Sequence, residues 1–215
     1  MKYLKINVIV ICTLFFYVSC DDDKEDNTET IIEQCGESST FTDVRDGKIY
    51  DIVKIGTQCW FAENLNYESE GSWCYNDNSN NCNNSYGRFY TWDDALISCP
   101  PGWHLPTNEE WEVLANFLGG VNLCGLKMKQ AGTSTWVDPI SDATNESGFT
   151  AIPGGSRNNG GLYDRRGKDA YFWTNSPSSQ NTNFATYRGL SGNDSILGEY
   201  THPKNYGFSV RCVKD

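Results

Sequence analysis

The sequence predicts an α+β fold, and three features carry that prediction. Two amphipathic helices, each with its own start signal, lie one after the other near the middle of the chain. β-branched and aromatic runs of strand length stand before them and again after them. The later runs are separated by clusters of Gly, Asn and Ser, so the second half reads as short strands joined by long loops.

The chain opens on a segment that precedes the fold. Lys2 and Lys5 are followed by an apolar stretch from Ile6 to Tyr17, then by Val18-Ser19-Cys20 and at once by Asp21-Asp22-Asp23. This is the layout of a bacterial lipoprotein signal, in which residues 1–19 are removed after the small side chain of Ser19 and Cys20 becomes the lipidated N-terminus. A transmembrane anchor is the rival, but the apolar run is shorter than the roughly 20 residues a spanning helix needs and no basic stop follows it. Residues 20–34 are acidic and polar with almost no aromatic content, so they cannot bury enough apolar surface to offset chain entropy and read as a flexible tether. An acidic run directly after a lipidated cysteine also resembles the surface-export signals of lipoproteins in gut-type Gram-negative bacteria; the alternative is a solvated linker. The expectation is an outer-membrane lipoprotein facing the cell exterior, with residues 35–215 as a single domain.

The first elements of that domain form a hairpin. Ile49 to Ile55 and Gln58 to Phe61 are β-branched and aromatic runs joined by Gly56-Thr57, and the tight-turn dipeptide Asp46-Gly47 stands just ahead of them. Residues 76–84 are mostly Asn, Asp and Ser and predict a loop, flanked by Cys74 and Cys82. Thr91-x-x-Asp94 can cap a helix that places Trp92, Ala95, Leu96 and Cys99 on one apolar face, and Pro100 ends it. Thr107-x-x-Glu110 is a capping box, after which Trp111, Leu114, Ala115 and Leu118 repeat the spacing until Gly119-Gly120. Stripes of this period are packing surfaces first. Beyond Lys127 the helical period stops, and Ala170 to Thr174, Phe184 to Leu190 and Phe208 to Val213 read as strands. Phe208, Val210 and Cys212 fall on one face of the last, which fits a sheet buried on one side.

Charge and cysteine content narrow the partners. Removal of the signal takes away Lys2 and Lys5 and no acid, leaving 15 Lys and Arg against 28 Asp and Glu, a net charge of −13. Nucleic acid is a poor partner for such a surface. Of nine cysteines, Cys12 leaves with the signal and Cys20 takes lipid, so seven remain. An odd set in an exported domain predicts disulfides with one thiol left over. No two cysteines show zinc-ligand spacing, and His104 and His202 lie near no cysteine pair, so no metal is assigned.

Several ordered blocks resemble the Fibrobacter succinogenes major paralogous domain. They are Val53-Lys54-Ile55-Gly56-Thr57-Gln58-Cys59-Trp60-Phe61-Ala62-Glu63-Asn64-Leu65, then Tyr86-Gly87-Arg88-Phe89-Tyr90-Thr91-Trp92, then Cys99-Pro100-Pro101-Gly102-Trp103-His104-Leu105-Pro106-Thr107. Thr144-Asn145-Glu146-Ser147-Gly148-Phe149, Pro153-Gly154-Gly155, Phe172-Trp173 and the closing Gly207-Phe208-Ser209-Val210-Arg211-Cys212-Val213 continue the resemblance to the C-terminus. Trp103 to Thr107 followed by Glu109-Glu110-Trp111 is also similar to the formylglycine-generating, sulfatase-modifying enzymes. The resemblance implies the C-type-lectin-like fold, with two helices flanking twisted, mainly antiparallel sheets and a long loop region that carries the binding surface. Spacing and resemblance together pair Cys74 with Cys82, Cys99 with Cys212 and Cys35 with Cys59, leaving Cys124.

Three classes of function follow from that fold. An enzyme of the formylglycine-generating type needs a pair of reactive cysteines near its C-terminal end, and only Cys212 lies in the last third of this chain. Calcium-dependent sugar binding needs a Glu-Pro-Asn or Gln-Pro-Asp loop with a Trp-Asn-Asp strand, of which Trp173-Thr174-Asn175 and Asn193-Asp194 are distant echoes. The expected function is therefore a non-catalytic binding or adhesion module for an extracellular glycan or protein ligand, without a cofactor. A structural envelope protein without a dedicated ligand is the first alternative, and an enzyme of the formylglycine-generating type the last. Tyr163, Arg165, Arg166, Tyr171, Tyr187, Arg188 and Tyr200 lie among Gly, Ser and Asn, a mixture that suits binding surfaces, and are the candidate ligand residues. Tyr171 and Tyr187 lie in strand-like runs and have packing as their rival role; Trp173 is assigned to the core.

Overall fold

A computed structural model describes residues 35, 39–82, 86–137 and 142–215. The signal segment, Cys20 and the tether lie outside the described residues. The chain enters a sheet one strand earlier than its apolar runs announce. Strand β1 (Thr40–Thr42) pairs with β2 (Ile49–Ile55) across the Asp46-Gly47 turn, with Thr42 opposite Ile49. The predicted hairpin follows as β2 and β3 (Gln58–Phe61), with Ile55 opposite Gln58. At its tip Gly56 has φ +63°, and a Cβ there would lie 3.1 Å from the Phe117 ring, so turn geometry and close packing both favour glycine.

Two short strands, β4 (Ser72–Trp73) and β5 (Phe89–Tyr90), pair across the Asn-rich loop, which is folded into 3-10 turns at Tyr75–Asp77 and Ser79–Cys82. Helix α1 (Trp92–Ser98) starts as expected, the Thr91 hydroxyl accepting from the Asp94 amide at 3.3 Å. Its buried face differs from the expectation. Leu96 is 39% exposed and Ser98 is buried in its stead, its hydroxyl donating to the Asp94 carbonyl at 2.7 Å. A local hydrogen bond makes serine acceptable inside, and a seven-residue helix spans barely two turns, too short to enforce the predicted stripe.

After β6 (Trp103–His104), α2 (Asn108–Phe117) carries the full capping box: Glu110 N–H to the Thr107 hydroxyl at 3.1 Å and Thr107 N–H to the Glu110 carboxylate at 2.8 Å. Its Trp111, Leu114 and Ala115 are buried. Helix α3 (Cys124–Met128) was not announced by any period. The remaining strands are β7 (Ser156–Arg157), β8 (Tyr163–Asp164), β9 (Asp169–Pro177), β10 (Phe184–Ser191), β11 (Leu197–Pro203) and β12 (Val213–Lys214).

These elements form a five-stranded sheet in the order β1-β2-β3-β12-β6, a three-stranded sheet β11-β10-β9, and the two pairs β4-β5 and β7-β8. Among the described residues every pairing between these named strands is antiparallel, with parallel contacts only in isolated bridges such as Phe172 with Ser209, so the class is α+β. Both ends of the described domain meet in the larger sheet, where Val213 pairs with Trp60 on one side and His104 on the other.

The segment from Phe208 to Val213 is where the one-sided expectation fails, because both of its faces are buried. It threads between two cores. Phe208, Val210 and Cys212 join Tyr50, Phe61, Trp103 and Trp173, whereas Val213 joins Trp60, Trp111, Phe149 and Phe172. Arg211 is fully buried beside Phe149, donating to Asn64 Oδ1 at 2.8 Å and to the carbonyls of Phe61 at 3.1 Å and Thr150 at 2.9 Å. The backbone of the same segment binds β9 through Trp173 N–H to Ser209 O at 3.1 Å, and binds the first sheet side through Phe61 N–H to Cys212 O at 2.9 Å. It therefore joins the two larger sheets without belonging wholly to either.

The three predicted disulfides, Cys35–Cys59, Cys74–Cys82 and Cys99–Cys212, are all formed. Cys124 is free and buried, and burial pushes its thiol up to about 11.

Candidate functional site

The three-stranded sheet carries the site. Strand alternation places Tyr171 and Trp173 of β9, Tyr187 and Gly189 of β10, and Gly198 and Tyr200 of β11 on one face. Register then arranges them in rows: Gly189 lies opposite both Tyr171 and Gly198, and Tyr187 lies opposite both Trp173 and Tyr200. The face grades from core to solvent. Trp173 is sealed against Phe208 at 4.5 Å, Tyr187 rests on Phe208 at 4.7 Å, and Tyr200 is 53% exposed.

Three tyrosines surround a floor made of glycine. Tyr187 lies 5.6 Å from Tyr171, edge to face, and 5.5 Å from Tyr200. A Cβ on Gly189 would touch all three rings at 3.4–3.6 Å, and one on Gly198 would lie 2.3 Å from the Tyr200 ring. The paired glycines thus leave room for Tyr200 to lie flat across the sheet. The result is a cleft of about 240 Å³ whose walls include Tyr171, Tyr187, Tyr200, Ile196, Asp169 and Arg165.

Polar groups converge on its edge. The Asp169 carboxylate accepts the Tyr171 hydroxyl at 2.9 Å and pairs with Arg165 Nε at 2.6 Å. Burial pushes the Tyr171 and Tyr187 hydroxyls up to about 12, so both remain neutral donors at physiological pH. Arg165 sits in the left-handed region at φ +67°, its amide held by the Asp164 carboxylate at 2.7 Å. On the opposite rim the buried ammonium of Lys129 donates to the carbonyls of Ser191 and Asp194, fixing the turn between β10 and β11. Nothing in the sequence pattern marked Lys129, which simply follows the last residue of α3.

The seven candidate ligand residues separate into three groups. Arg165, Tyr171, Tyr187 and Tyr200 meet in the cleft. Tyr163 and Arg166 do not: Tyr163 donates to Asp77 at 2.6 Å, and the Arg166 guanidinium lies 4.1 Å from the Tyr86 ring and 5.0 Å from Tyr75. With Arg157 stacked 3.9 Å from Trp73, that second cluster ties the β7-β8 pair to the β4-β5 region. Arg188 is the correction. It is 2% exposed and pairs with Glu199 at 2.7 Å on the face turned towards α2, where it also reaches the Asn108 carbonyl at 3.3 Å. Period-two alternation forces this, because Tyr187 and Arg188 are consecutive in one strand and must point to opposite faces. Among the described residues no group of three His, Cys, Asp or Glu side chains could hold a metal ion.

A family model described as the Fibrobacter succinogenes major domain matches residues 53–214. No curated protein and no solved structure shows a significant match to the chain.

Proposed function

The chain belongs to the Fibrobacter succinogenes major domain family, and from the cleft this scaffold carries we propose that it is a non-catalytic binding module for an extracellular glycan or protein ligand, held at the outer membrane by lipid on Cys20 and facing the exterior. The observation that carries the reading is the trio Tyr171, Tyr187 and Tyr200 around a glycine floor, with Asp169 and Arg165 at the edge. Tyrosine rings offer flat apolar contact at low entropy cost, while hydroxyl, carboxylate and guanidinium groups satisfy the polar edge of a ligand. A sugar ring has that pairing of an apolar C–H face with a hydroxyl rim, so a glycan is the favoured class. The free thiol argues for binding over formylglycine-type chemistry: Cys212 is bonded to Cys99, and Cys124 is buried with its thiol held protonated.

We read the scaffold as C-type-lectin-like. The first and last strands of the described domain belong to one sheet, with β12 inserted between β3 and β6, α1 and α2 follow the first hairpin, and the long excursion between α2 and β12 carries the site. The lipid anchor rests on the signal layout of residues 1–20.

Binding of the Cys20→Ser chain to a combined array of glycans and secreted proteins tests the function. Tyr200 is exposed, so Tyr200→Ala should leave the fold intact and weaken any genuine ligand about tenfold or more. An array without a ligand, or a ligand indifferent to Tyr200→Ala, would overturn the reading.

A further inference from the structure

The tyrosine cleft does not end at its polar edge. A second cleft of about 190 Å³ adjoins it, lined by Val137, Lys168, Gly192 and Asn193 together with Arg165, Asp169 and Ser191. Those last three residues line both clefts, so the Arg165–Asp169 pair stands between two compartments of one groove. The shared wall is fixed from several directions. Lys129 holds the Ser191 carbonyl from below, and the Gly192 amide donates to the Lys168 carbonyl at 2.8 Å, an approach that a Cβ at Gly192 would crowd at 3.2 Å.

The two compartments differ in chemistry. The first is walled by three tyrosines and Ile196. Among the described residues the second has no aromatic wall and carries two cations, Arg165 and Lys168, against the single carboxylate of Asp169. That carboxylate is already engaged by Arg165 Nε and the Tyr171 hydroxyl. Lys168 is exposed and makes no ion pair among the described residues. A locally positive compartment in a chain of net charge −11 is a departure from the rest of the surface. Further acids close by among the described residues are Asp164, whose carboxylate accepts from the Arg165 amide, and Asp194 of the first compartment; acids beyond about 8 Å are screened at physiological ionic strength.

We propose that this groove binds an acidic oligosaccharide, one sugar ring lying over Tyr171, Tyr187 and Tyr200 and the next unit placing a carboxylate at Lys168 and Arg165. The proposal rests on the binding-module reading above and adds the ligand class. Charge-assisted bonds to a carboxylate are roughly twice as strong as neutral ones, so the acidic unit supplies selectivity while the tyrosines supply contact area.

A pair of probes that differ only in charge tests it: an oligouronide tetramer and the same tetramer methyl-esterified, titrated calorimetrically into the Cys20→Ser chain at physiological salt. The acidic tetramer should bind about tenfold more tightly. Lys168→Gln should bring the ratio of the two affinities towards one, and Lys168→Arg should keep it. Equal affinities for the two tetramers would overturn the acidic-ligand inference and leave the glycan-binding reading standing. Failure of both tetramers, alongside failure of every neutral glycan on the array, would overturn both. Tight acidic binding that survives Lys168→Gln unchanged would also overturn the placement of the carboxylate.

Discussion

Single side chains in this domain show how much a charged or polar group depends on what surrounds it. Arg211 is buried in the seam between the two cores, and burial holds its guanidinium down at about 9, yet it donates to the carbonyls of Phe61, Phe149 and Thr150 and so satisfies buried polar groups of three residues. Sequence marks such a residue only as an arginine in an apolar run. Arg188 departs from its expected place for a simpler reason: its residue type suggests a ligand contact, whereas its parity with Tyr187 assigns it to the other face. His104 shows the opposite balance to Arg211. Burial disfavours its charge, but hydrogen bonds to the Asp215 carboxylate at 2.6 Å and the Glu110 carboxylate at 2.9 Å outweigh that and raise its pKa. A raised folded-state pKa means that the protonated histidine stabilises the fold fully below the unfolded value of about 6.5, and the contribution fades as pH rises through the folded value. His202 runs the other way, because burial against Tyr206 and Phe208 lowers its pKa and its contribution is lost as pH falls. His104→Gln should therefore lower the melting temperature more at pH 5.5 than at pH 8, and His202→Gln should not. Equal losses for His104→Gln at the two pH values would show that its carboxylate contacts carry no charge.

At the scale of elements, what could be read from the sequence is what has a period or a cap. The hairpin β2-β3 and helices α1 and α2 announce themselves through turn residues, capping boxes and repeated spacing. The two-residue strands β4 to β8 span too few positions to show any alternation, and α3 is five residues long with no capping side chain, so both escape notice. The site was half legible for the same reason. Runs in β9 and β10 supplied Tyr171 and Tyr187, but only the register reveals that Gly189 and Gly198 face each other beneath Tyr200. That pair gives the element-scale prediction. A methyl group on Gly198 would meet the Tyr200 ring, and since that ring is exposed it can swing into solvent at little cost to the fold. Gly198→Ala should thus reduce ligand binding to the level of Tyr200→Ala while the melting temperature stays within a few degrees of wild type. Undiminished binding would mean that Tyr200 does not need to lie across the sheet.

For the whole molecule the decisive fact is that its first and last strands share one sheet, so the fold closes only when distant parts of the chain meet. Val213 reaches Trp60 and His104, and Cys212 next to it is bonded to Cys99 at the end of α1, 113 residues away. The Cys74–Cys82 bridge closes a separation of 8 residues within one surface loop. In the chain-entropy account a cross-link stabilises by restricting the unfolded chain, by about 4.7 kcal/mol for a loop of ~100 residues and about 3 kcal/mol for ~15. Position adds to length here, since Cys212 lies in the seam where the two cores and the two larger sheets join, whereas Cys82 borders an Asn-rich turn. For a domain of this size, about 4.7 kcal/mol corresponds to roughly 10–20 °C of melting temperature. Cys212→Ser should therefore lower the melting temperature by an amount in that range, and Cys82→Ser by distinctly less. A loss from Cys82→Ser that equals or exceeds the loss from Cys212→Ser would show that the polar loop, and not the meeting of the chain ends, limits the stability of this fold.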